Sequence, residues 1–531
     1  MSSNYASQNL DHLGLVAGMY DELGIGAYLD DQITQDKKMR HVSVGQAVKA
    51  LVLNGLGFVN RALYLTPQFF ADKPVDSLIG PGIEAKHLND DVLGRALDSL
   101  YEYDVTTLFS GIGAQAAQRL GLRDSTVHLD STSFHADGAY DWEAEEGVIE
   151  ITQGYSRDHR PELNQAVLNL VVEQRAGLPL LMEPLSGNSS DKVSFGDLIE
   201  RHIDQLNAEH GVEYWVADSA LYTRENLQKL SARQGRWISR VPETIGLAQE
   251  HREDVREPME SLEKGYHYRR VEVEYGGVEQ RWLVILSAQA MKRAGAGVAR
   301  RIERTGEKER KAYEKLSKQG FACAEDARQA LEAFRSGLEL LMLEDAEVVQ
   351  LEPEEKLSWF IVGSLASDSL IRWSWLWKKS VFIIATNERD TERLSDEEVW
   401  ENYRQQQKAE RGFRFLKDPR FQANTLFLKS PQRVMALLMV MTICLVVYAA
   451  LEYRTRNALA QQRRSVPDQK GRATQTPTMR WVFQFFAGIH RLLIEGQAPM
   501  ILNLKPAQET VIEVLGLPYQ AIYASGAGNS G

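Results

Sequence analysis

The chain has 531 residues, of which 44% are hydrophobic and 25% charged, a composition typical of globular proteins and a length that predicts several domains. Two distant cysteines, Cys323 and Cys444, exclude a disulfide framework and match no zinc spacing, and the N-terminal residues lack the pattern of an export signal. A net charge of −12 is unlike that of a typical nucleic-acid-binding protein, so any phosphate contact requires a local basic patch.

Residues 1–124 are predicted to form a helical N-terminal domain, because apolar residues recur at helical spacing, for example over 44–53. Residues 125–243 change character: short β-rich runs give way to alternating helices and strands, which predicts a mixed α/β sheet. The predicted strands cover 126–130, 148–151, 166–172, 178–182, 213–218 and 237–239, and the predicted helices cover 191–206 and 223–232.

Residues 244–380 are predicted to be an inserted α+β subdomain. A hairpin over 266–286 turns at Gly276-Gly277, and a charged helical stretch follows over 290–345. Trp373, Trp375 and Trp377 alternate, so on a strand the three rings would share one face beside two lysines. Such rings suit either core packing or stacking on an extruded base or a single strand.

Residues 381–457 return to core character, and residues 458–531 form a C-terminal region with a loose tail. The first part contains a predicted strand over 381–386 and a predicted helix over 395–417. The uncharged stretch 434–451 is just long enough to span a membrane, but a fully covered core helix has the same composition. We favour the core helix, and a membrane-anchored protein is the alternative.

Basic residues cluster in two places despite the acidic total. Residues 403–434 contain eight Lys or Arg and two acids, and residues 291–318 contain ten and four. Either run could be a solvated helix face or a DNA contact.

The helix over 395–417 carries a candidate metal ligand. Ser395 and Glu398 form a capping-box pattern that marks its start. On one continuous helix, Tyr403, Gln406, Glu410 and Lys417 fall within a narrow arc, which predicts a carboxylate flanked by groups that could contact phosphate.

Two aspartates close strand-like runs, Asp130 after 127–129 and Asp218 after 214–217. Carboxylates at the ends of apolar strands are costly unless they are paired, ligated or exposed. If the two strands are neighbours, a third carboxylate from a helix would complete a hard oxygen site for Mg²⁺ or Mn²⁺. Zinc binding by His128, Asp130 and His135 is a weaker interpretation, because residue 135 does not share their strand face.

Several blocks, in this order and spacing, resemble DDE transposases of the insertion-sequence IS4 type, and most closely the IS1634 group. The blocks are His128-Leu129-Asp130-Ser131-Thr132-Ser133, residues 154–163, Gly187-Asn188-Ser189-Ser190-Asp191 and Ala217-Asp218-Ser219-Ala220-Leu221-Tyr222. The family pattern Tyr-(2)-Arg-(3)-Glu-(6)-Lys is matched in spacing by Tyr403, Gln406, Glu410 and Lys417, with Gln406 in the place of the arginine.

The resemblance implies an RNase H-like core built from 125–243 and 381–457, interrupted by the insertion. It implies that two Mg²⁺ or Mn²⁺ ions are held by Asp130, Asp218 and Glu410. It implies DNA contacts by Tyr403 and Lys417, for which Gln406, Arg411, Arg414 and Trp375 are further candidates. A neutral Gln406 can only hydrogen-bond a phosphate that an arginine would grip.

The resemblance also implies metal-dependent cleavage at transposon ends, then attack of the freed 3′-hydroxyl on target DNA. The expected partners are double-stranded DNA with inverted repeats and a second copy of the chain, in the nucleoid of a bacterial cytoplasm. No membrane partner is expected, and no Gly-rich phosphate loop predicts a nucleotide cofactor. Residues 1–124 would bind DNA ends or mediate dimerisation. An inactive or domesticated relative that binds ends without cutting is the alternative function.

Overall fold

The fold is taken from a computed structural model, in which the chain divides into two units. The structure describes residues 5–34, 41–57, 65–123, 125–136, 140, 145–155, 160, 162–253, 259–351, 355–367, 369–417 and 430–524, except for the side chains of 408, 409, 413 and 416. Unit 1 comprises Met1–Ser239, Gly276–Val278 and Trp400–Gly531, and unit 2 comprises Arg240–Tyr275 and Glu279–Val399. Part of the 154–163 block and residues 418–429 of the basic run lie outside the described residues.

Unit 1 begins with a short strand and a set of helices. The elements are β1 (Tyr5–Asn9), α1 (Leu13–Glu22), α2 (Ile25–Gln32), α3 (Val44–Gly55), α4 (Thr66–Phe70), α5 (Val75–Leu78), α6 (Asp90–Tyr103) and α7 (Val105–Leu120). Helices α3, α6 and α7 each start at a side-chain cap. Ser43 and Gln46 form a reciprocal capping box on α3, and the Asn89 side chain accepts from the Val92 amide at the start of α6. The apolar periodicity over 44–53 is therefore that of a helix, as predicted.

The sheet of unit 1 is mixed, with three antiparallel strands followed by parallel ones. Its elements are β2 (Thr126–Ala136), β3 (Asn164–Glu173), β4 (Pro179–Ser186), α8 (Asp191–His210), β5 (Tyr214–Ala217), α9 (Arg224–Ala232) and β6 (Arg236–Arg240). The strand order is β4-β3-β2-β5-β6. β2 pairs antiparallel with β3 and parallel with β5, and β5 pairs parallel with β6. The mixed α/β sheet predicted from the sequence is confirmed.

One predicted strand of this region is wrong. Residues 148–151 are extended but belong to no strand, and only Thr152 beside them forms an isolated bridge, to Gln165. The apolar side chains of Ile149 and Ile151 are buried, which explains the β-like pattern without a ladder of hydrogen bonds.

Unit 2 combines a second run of antiparallel strands with a helical and β-hairpin extension. Its elements are α10 (Gly246–Glu253), β7 (Glu260–Glu263), β8 (Tyr266–Tyr275), β9 (Val278–Ser287), α11 (Ala288–Ser317), α12 (Ala324–Ser336), β10 (Leu341–Gln350), β11 (Trp359–Ser367), α13 (Ser369–Ser380) and β12 (Val381–Thr386). The strands run β12-β9-β8-β7. Gly276 and Gly277 both have positive φ, as a tight hairpin turn requires, and the predicted hairpin is confirmed.

The predicted strand through the three tryptophans is a helix, α13. On a helix, Trp373 and Trp377 share a face and their ring centroids are 6.1 Å apart, whereas Trp375 points elsewhere. The prediction failed because a three-residue alternation is too short to separate a strand from a helix with apolar residues on two faces.

The predicted helix over 395–417 exists as two helices, α14 (Asp396–Arg404) and α15 (Gln407–Leu416). The capping box at its start is confirmed, with the Glu398 amide donating to Ser395 Oγ at 3.2 Å and the Ser395 amide to Glu398 Oε2 at 2.8 Å. The Gln406 amide donates to Tyr403 O at 3.2 Å in a tighter turn, and Gln406 O then accepts from the Glu410 amide at 3.3 Å. The single helical stripe through 403–417 is therefore interrupted.

A long buried helix, α16 (Pro431–Gln461), forms the centre of unit 1. It is long and apolar enough to cross a membrane, but 89% of its most apolar window is buried against the protein. Helices α1, α3, α6 and α7 and strand β4 pack around it, as does the C-terminal helix α18, so the prediction of a core helix is confirmed. The remaining elements are β13 (Val466–Pro467), β14 (Ala473–Thr474), α17 (Met479–Phe485), β15 (His490–Ile494), β16 (Met500–Leu502), α18 (Pro506–Leu515) and α19 (Leu517–Ile522).

Candidate active site

The two candidate aspartates directly follow the last paired position of two neighbouring parallel strands. Leu129 of β2 pairs with Ala217 of β5, and the next residues along the chain are Asp130, within β2, and Asp218, just after β5. Because paired strands lie about 4.8 Å apart, their side chains emerge as neighbours on one face. The prediction that Asp130 closes its strand is wrong, because antiparallel pairing with β3 continues β2 to Ala136, whereas Asp218 does follow the last residue of β5. The parallel pairing of β2 with β5 supplies the juxtaposition.

Local hydrogen bonds orient both carboxylates. Asp130 is buried, and its Oδ1 accepts from the Ser131 amide at 2.8 Å. Asp218 Oδ1 accepts from the Ala220 amide at 2.8 Å, while Ser239 Oγ donates to the Asp218 carbonyl at 2.8 Å. Each aspartate is therefore held by backbone that follows or adjoins its own strand, an arrangement that limits side-chain rotation.

The block at 187–191 reaches the same strand through a side chain that the sequence had not singled out. Ser131 Oγ donates to Asp191 Oδ1 at 2.6 Å, and Asp191 is the first residue of α8. This contact ties the start of α8 to the residue after Asp130. The sequence signal for this contact was the presence of Asp191 in one of the blocks that resemble the transposase family.

Glu410 lies on α15, which packs against both β2 and α16. Its side chain is exposed. Within α15 and the residue after it, Glu410, Arg414 and Lys417 are spaced by four and three residues, so they share one face. This shorter stripe replaces the predicted one, because Tyr403 belongs to α14.

The three carboxylates have the chemistry of a hard-cation site, but the structure does not bring them into ligating distance. Among the described residues, no group of three or more His, Cys, Asp or Glu side chains is placed to hold a metal ion. Three carboxylates offer the oxygen ligands that Mg²⁺ and Mn²⁺ prefer, so the donor set fits such ions. Asp130 and Asp218 are adjacent, and Glu410 is on a helix that contacts the strand of Asp130.

His128 is buried and belongs to a hydrogen-bonded chain whose other members are half-buried. Its Nε2 lies 3.1 Å from Gln174 Oε1, and Gln174 Nε2 donates to Asn402 Oδ1 at 2.9 Å. Because an amide oxygen only accepts, His128 Nε2 is the donor. This chain links β2 to α14, in keeping with the structural role favoured over zinc ligation.

The predicted DNA-contacting residues of this region differ in accessibility. Arg411 and Arg414 are exposed, and Tyr403 and Lys417 are half-buried. Gln406 is only 7% exposed at the junction of α14 and α15, so its burial argues against the predicted phosphate contact and favours a role in joining the helices.

Trp375 lies in unit 2, where it lines a cavity of about 610 Å³. The guanidinium carbon of Arg301 is 4.1 Å from the centroid of its ring, a cation–π contact. Trp377, by contrast, is buried and donates through Nε1 to Arg252 O at 2.7 Å. The cavity is lined by Glu243, Gln249, Arg252, Glu253, Ala294, Gly297, Val298, Arg301, Trp375, Lys378 and Lys379.

Comparison with known protein families identifies the class of the chain. Residues 121–447 match the family described as "Transposase DDE domain", and residues 5–114 match a domain of unknown function, DUF4277. The first match spans more than half of the chain, so the protein belongs to the DDE transposase domain family. It is a transposase by family, and proteins with this domain generally use divalent metal ions.

Solved transposase structures show only a distant likeness, and no curated protein matches the chain. A piggyBac transposase in a synaptic complex with hairpin DNA is 10% identical, with 91% of this chain and 83% of that chain covered and a TM-score of 0.37. Mos1 transposase in a paired-end complex with the left transposon end is 11% identical, with 29% and 51% covered and a TM-score of 0.15.

Proposed function

We propose that this transposase cleaves DNA at transposon ends and joins the freed 3′-hydroxyl to target DNA. The observation that carries the proposal is the adjacency of Asp130, within β2, and Asp218, directly after β5, beside the helix of Glu410. Carboxylates that meet on one face of a sheet, with a third on a neighbouring helix, are a donor set for metal-assisted phosphoryl transfer. The sequence blocks favour the IS4 type, and within it the IS1634 group.

The strand order supports an RNase H-like core within this proposal. Three antiparallel strands, β4, β3 and β2, are followed by β5 and β6 parallel to β2, with helices α8 and α9 in the connections. Residues 381–457 would complete this core, and residues 244–380 would be its insertion. The domain limits at 124, 243, 380 and 457 are part of the proposal.

Asp130, Asp218 and Glu410 would hold two Mg²⁺ or Mn²⁺ ions in this reaction. When bound, such ions activate the attacking oxygen and stabilise the leaving one. The residues of the chain itself orient the donors: the Ser131 and Ala220 amides fix the two aspartates, and Asp191 restrains Ser131. No covalent protein–DNA intermediate is required, because water and the 3′-hydroxyl are the nucleophiles.

Basic side chains beside Glu410 would contact the DNA backbone. Arg414 and Lys417 share the helix face of Glu410, and Arg411 is exposed next to it. Tyr403 on α14 would contact the same DNA backbone. In unit 2, the Trp375 ring and Arg301 offer a stacking surface and a charge, which suit an extruded base or a single strand.

The proposed partners are inverted-repeat ends, target DNA and a second copy of the chain, in a bacterial cytoplasm and associated with the nucleoid. Residues 1–124 would bind DNA ends or mediate dimerisation. The alternative function is that of an inactive or domesticated relative that binds ends without cutting them.

Cleavage of DNA carrying the element's inverted repeat, with Mg²⁺ present, separates the two functions. We expect the wild-type chain to cut and Glu410→Gln to bind the DNA without cutting. Glu225→Gln, an exposed glutamate on α9, is the matched control and should cut like wild type. Binding without metal-dependent cutting by the wild type would favour the alternative.

A further inference from the structure

We propose that Gly412 and Phe415 are positioning residues: they hold the helix of Glu410 against α16 and so set the direction in which its carboxylate points. The inference rests on the proposed function and assigns roles to residues that do not face the metal. Its basis is the packing between α15 and α16.

The two helices meet through a matched pair of contacts. A Cβ atom built on Gly412 would lie 3.0 Å from Leu445 Cδ2, closer than side-chain carbons normally approach. Three residues further along each helix, the rings of Phe415 and Tyr448 have centroids 4.2 Å apart. Gly412 and Phe415 therefore lie on one face of α15, and Leu445 and Tyr448 on one face of α16. A side chain at 412 would have to displace Leu445 or α15 itself, because the two helices come so close there.

The α16 side of this contact is packed into the core of unit 1. Leu445 is 3% exposed, so its side chain has little room to move away. Tyr448 is largely buried, its hydroxyl accepts from the Arg480 amide at 3.0 Å, and its ring packs edge-on to Phe483 at 5.9 Å. The α16 side of the contact is thus fixed by the core of unit 1, and α15 adapts to it.

Glu410 is placed roughly opposite this contact. At about 100° per residue it lies about 160° from Gly412 and about 140° from Phe415 around α15. Each 10° of rotation of α15 would move the carboxylate by about 1 Å, given a helix radius of about 5–6 Å with side chains. Metal–ligand distances tolerate deviations of only about 0.2 Å, so a small rotation decides whether Glu410 can join Asp130 and Asp218 as a ligand.

Gly412→Ala tests this positioning role without weakening α15, because alanine is the better helix former. We would titrate the full-length protein with Mn²⁺ alone, following bound ion by electron paramagnetic resonance, and measure thermal unfolding in metal-free buffer. The expected result is a half-saturating Mn²⁺ concentration at least about tenfold higher, as for lost outer-shell support of a metal site, with an unchanged unfolding temperature. Cleavage of inverted-repeat DNA should require correspondingly more metal.

Two further variants sharpen the test. Leu445→Val removes the Cδ atoms that the new methyl group would strike, so Gly412→Ala with Leu445→Val should restore Mn²⁺ affinity to within about twofold of wild type. Gly306→Ala is the matched control: it also adds a methyl group in a helix, 3.4 Å from Leu340 Cδ2, an ordinary contact distance, and should leave Mn²⁺ affinity unchanged.

The outcomes separate the positioning role from the proposed function. If the wild type binds Mn²⁺ and cuts DNA, and Gly412→Ala binds Mn²⁺ with the same affinity, the positioning role is overturned and the proposed function stands. The positioning role is also overturned if Gly412→Ala folds but Leu445→Val does not restore its Mn²⁺ affinity. If Gly412→Ala does not fold, Phe415→Leu decides by the same titration. A wild type that neither binds Mn²⁺ nor cuts overturns both proposals.

Discussion

Replacing Asp396 with asparagine tests how unit 2 stabilises the buried guanidinium of Arg281. Both side chains are almost fully buried, with Arg281 Nη1 3.2 Å from Asp396 Oδ1. Arg270, which is half-exposed, also binds this carboxylate, through Nε at 2.9 Å and Nη2 at 2.5 Å. Burial lowers the pKa of Arg281 and the Asp396 charge opposes that shift, so the carboxylate compensates a desolvated cation.

The cost follows from the difference in burial between the two arginines. Breaking a buried pair by removing one charge costs about 3–5 kcal/mol, and we expect about 3 kcal/mol because Glu272 and Glu388 also act favourably on Arg281. Arg270→Gln removes a half-exposed partner of the same buried carboxylate, which keeps Arg281 as its counter-charge, and should cost about 1 kcal/mol or less. For a unit of this size, Asp396→Asn should lower the unfolding temperature by about 6–12 °C, and Arg270→Gln by about 4 °C or less.

Differential scanning calorimetry of the full chain measures both shifts in unfolding temperature, once at low salt and once at about 0.5 M NaCl, where surface charges are screened. Salt should reduce the effect of Arg270→Gln and leave that of Asp396→Asn, because a buried pair is poorly screened. Equal shifts for the two variants, or a neutral Asp396→Asn, would refute this account of the buried pair.

Three further predictions concern stability. Burial lowers the pKa of His12 from 6.5 to about 4. Its neutral ring therefore contributes about 3 kcal/mol to the free energy of unfolding above pH 6.5, and this contribution is lost as pH falls to about 4. Urea unfolding at a series of pH values should show the loss in the wild type and not in His12→Gln. The Glu309 carboxylate accepts hydrogen bonds from three successive backbone amides beginning at Glu339. Glu309→Gln should therefore lower the free energy of unfolding by about 2 kcal/mol and speed amide hydrogen exchange in β10. Unchanged exchange in β10 would contradict the proposal that Glu309 anchors this strand. A Cβ on Gly113 would lie 2.5 Å from Leu180 O, so Gly113→Ala should destabilise unit 1 by about 1–3 kcal/mol in urea unfolding, despite the better helix propensity of alanine.

The sequence predicted the elements that depend on local chemistry. The capping box at Ser395, the glycine turn at Gly276 and the apolar runs that became β2 and β5 each have a short-range signal, and all three are present. The parallel pairing that brings Asp130 beside Asp218 is a long-range contact, so the sequence could state it only as a condition.

Predictions failed where tertiary packing overrides a local pattern. The break between α14 and α15 falls at Gln405-Gln406, where neither glycine nor proline marks it, and the buried Gln406 side chain occupies the junction. The tryptophan alternation was misassigned because Trp377 is buried and Trp373 is 45% exposed on a helix that has two different apolar environments. For Trp377 a contact that fixes the helix, the hydrogen bond to Arg252 O, comes from a residue distant in sequence.

The burial of α16 has a consequence for how this protein can be divided. Helices α1, α3 and α6, from the residues that match DUF4277, pack on α16 together with β4 and α15, from the residues that match the transposase domain, and α18 also packs on it. Without residues 5–114, part of the uncharged stretch of α16 would be exposed, and an exposed apolar surface of this kind favours aggregation or binding to lipid. Two segments that are recognised as separate families are therefore expected to be inherited, expressed and lost together.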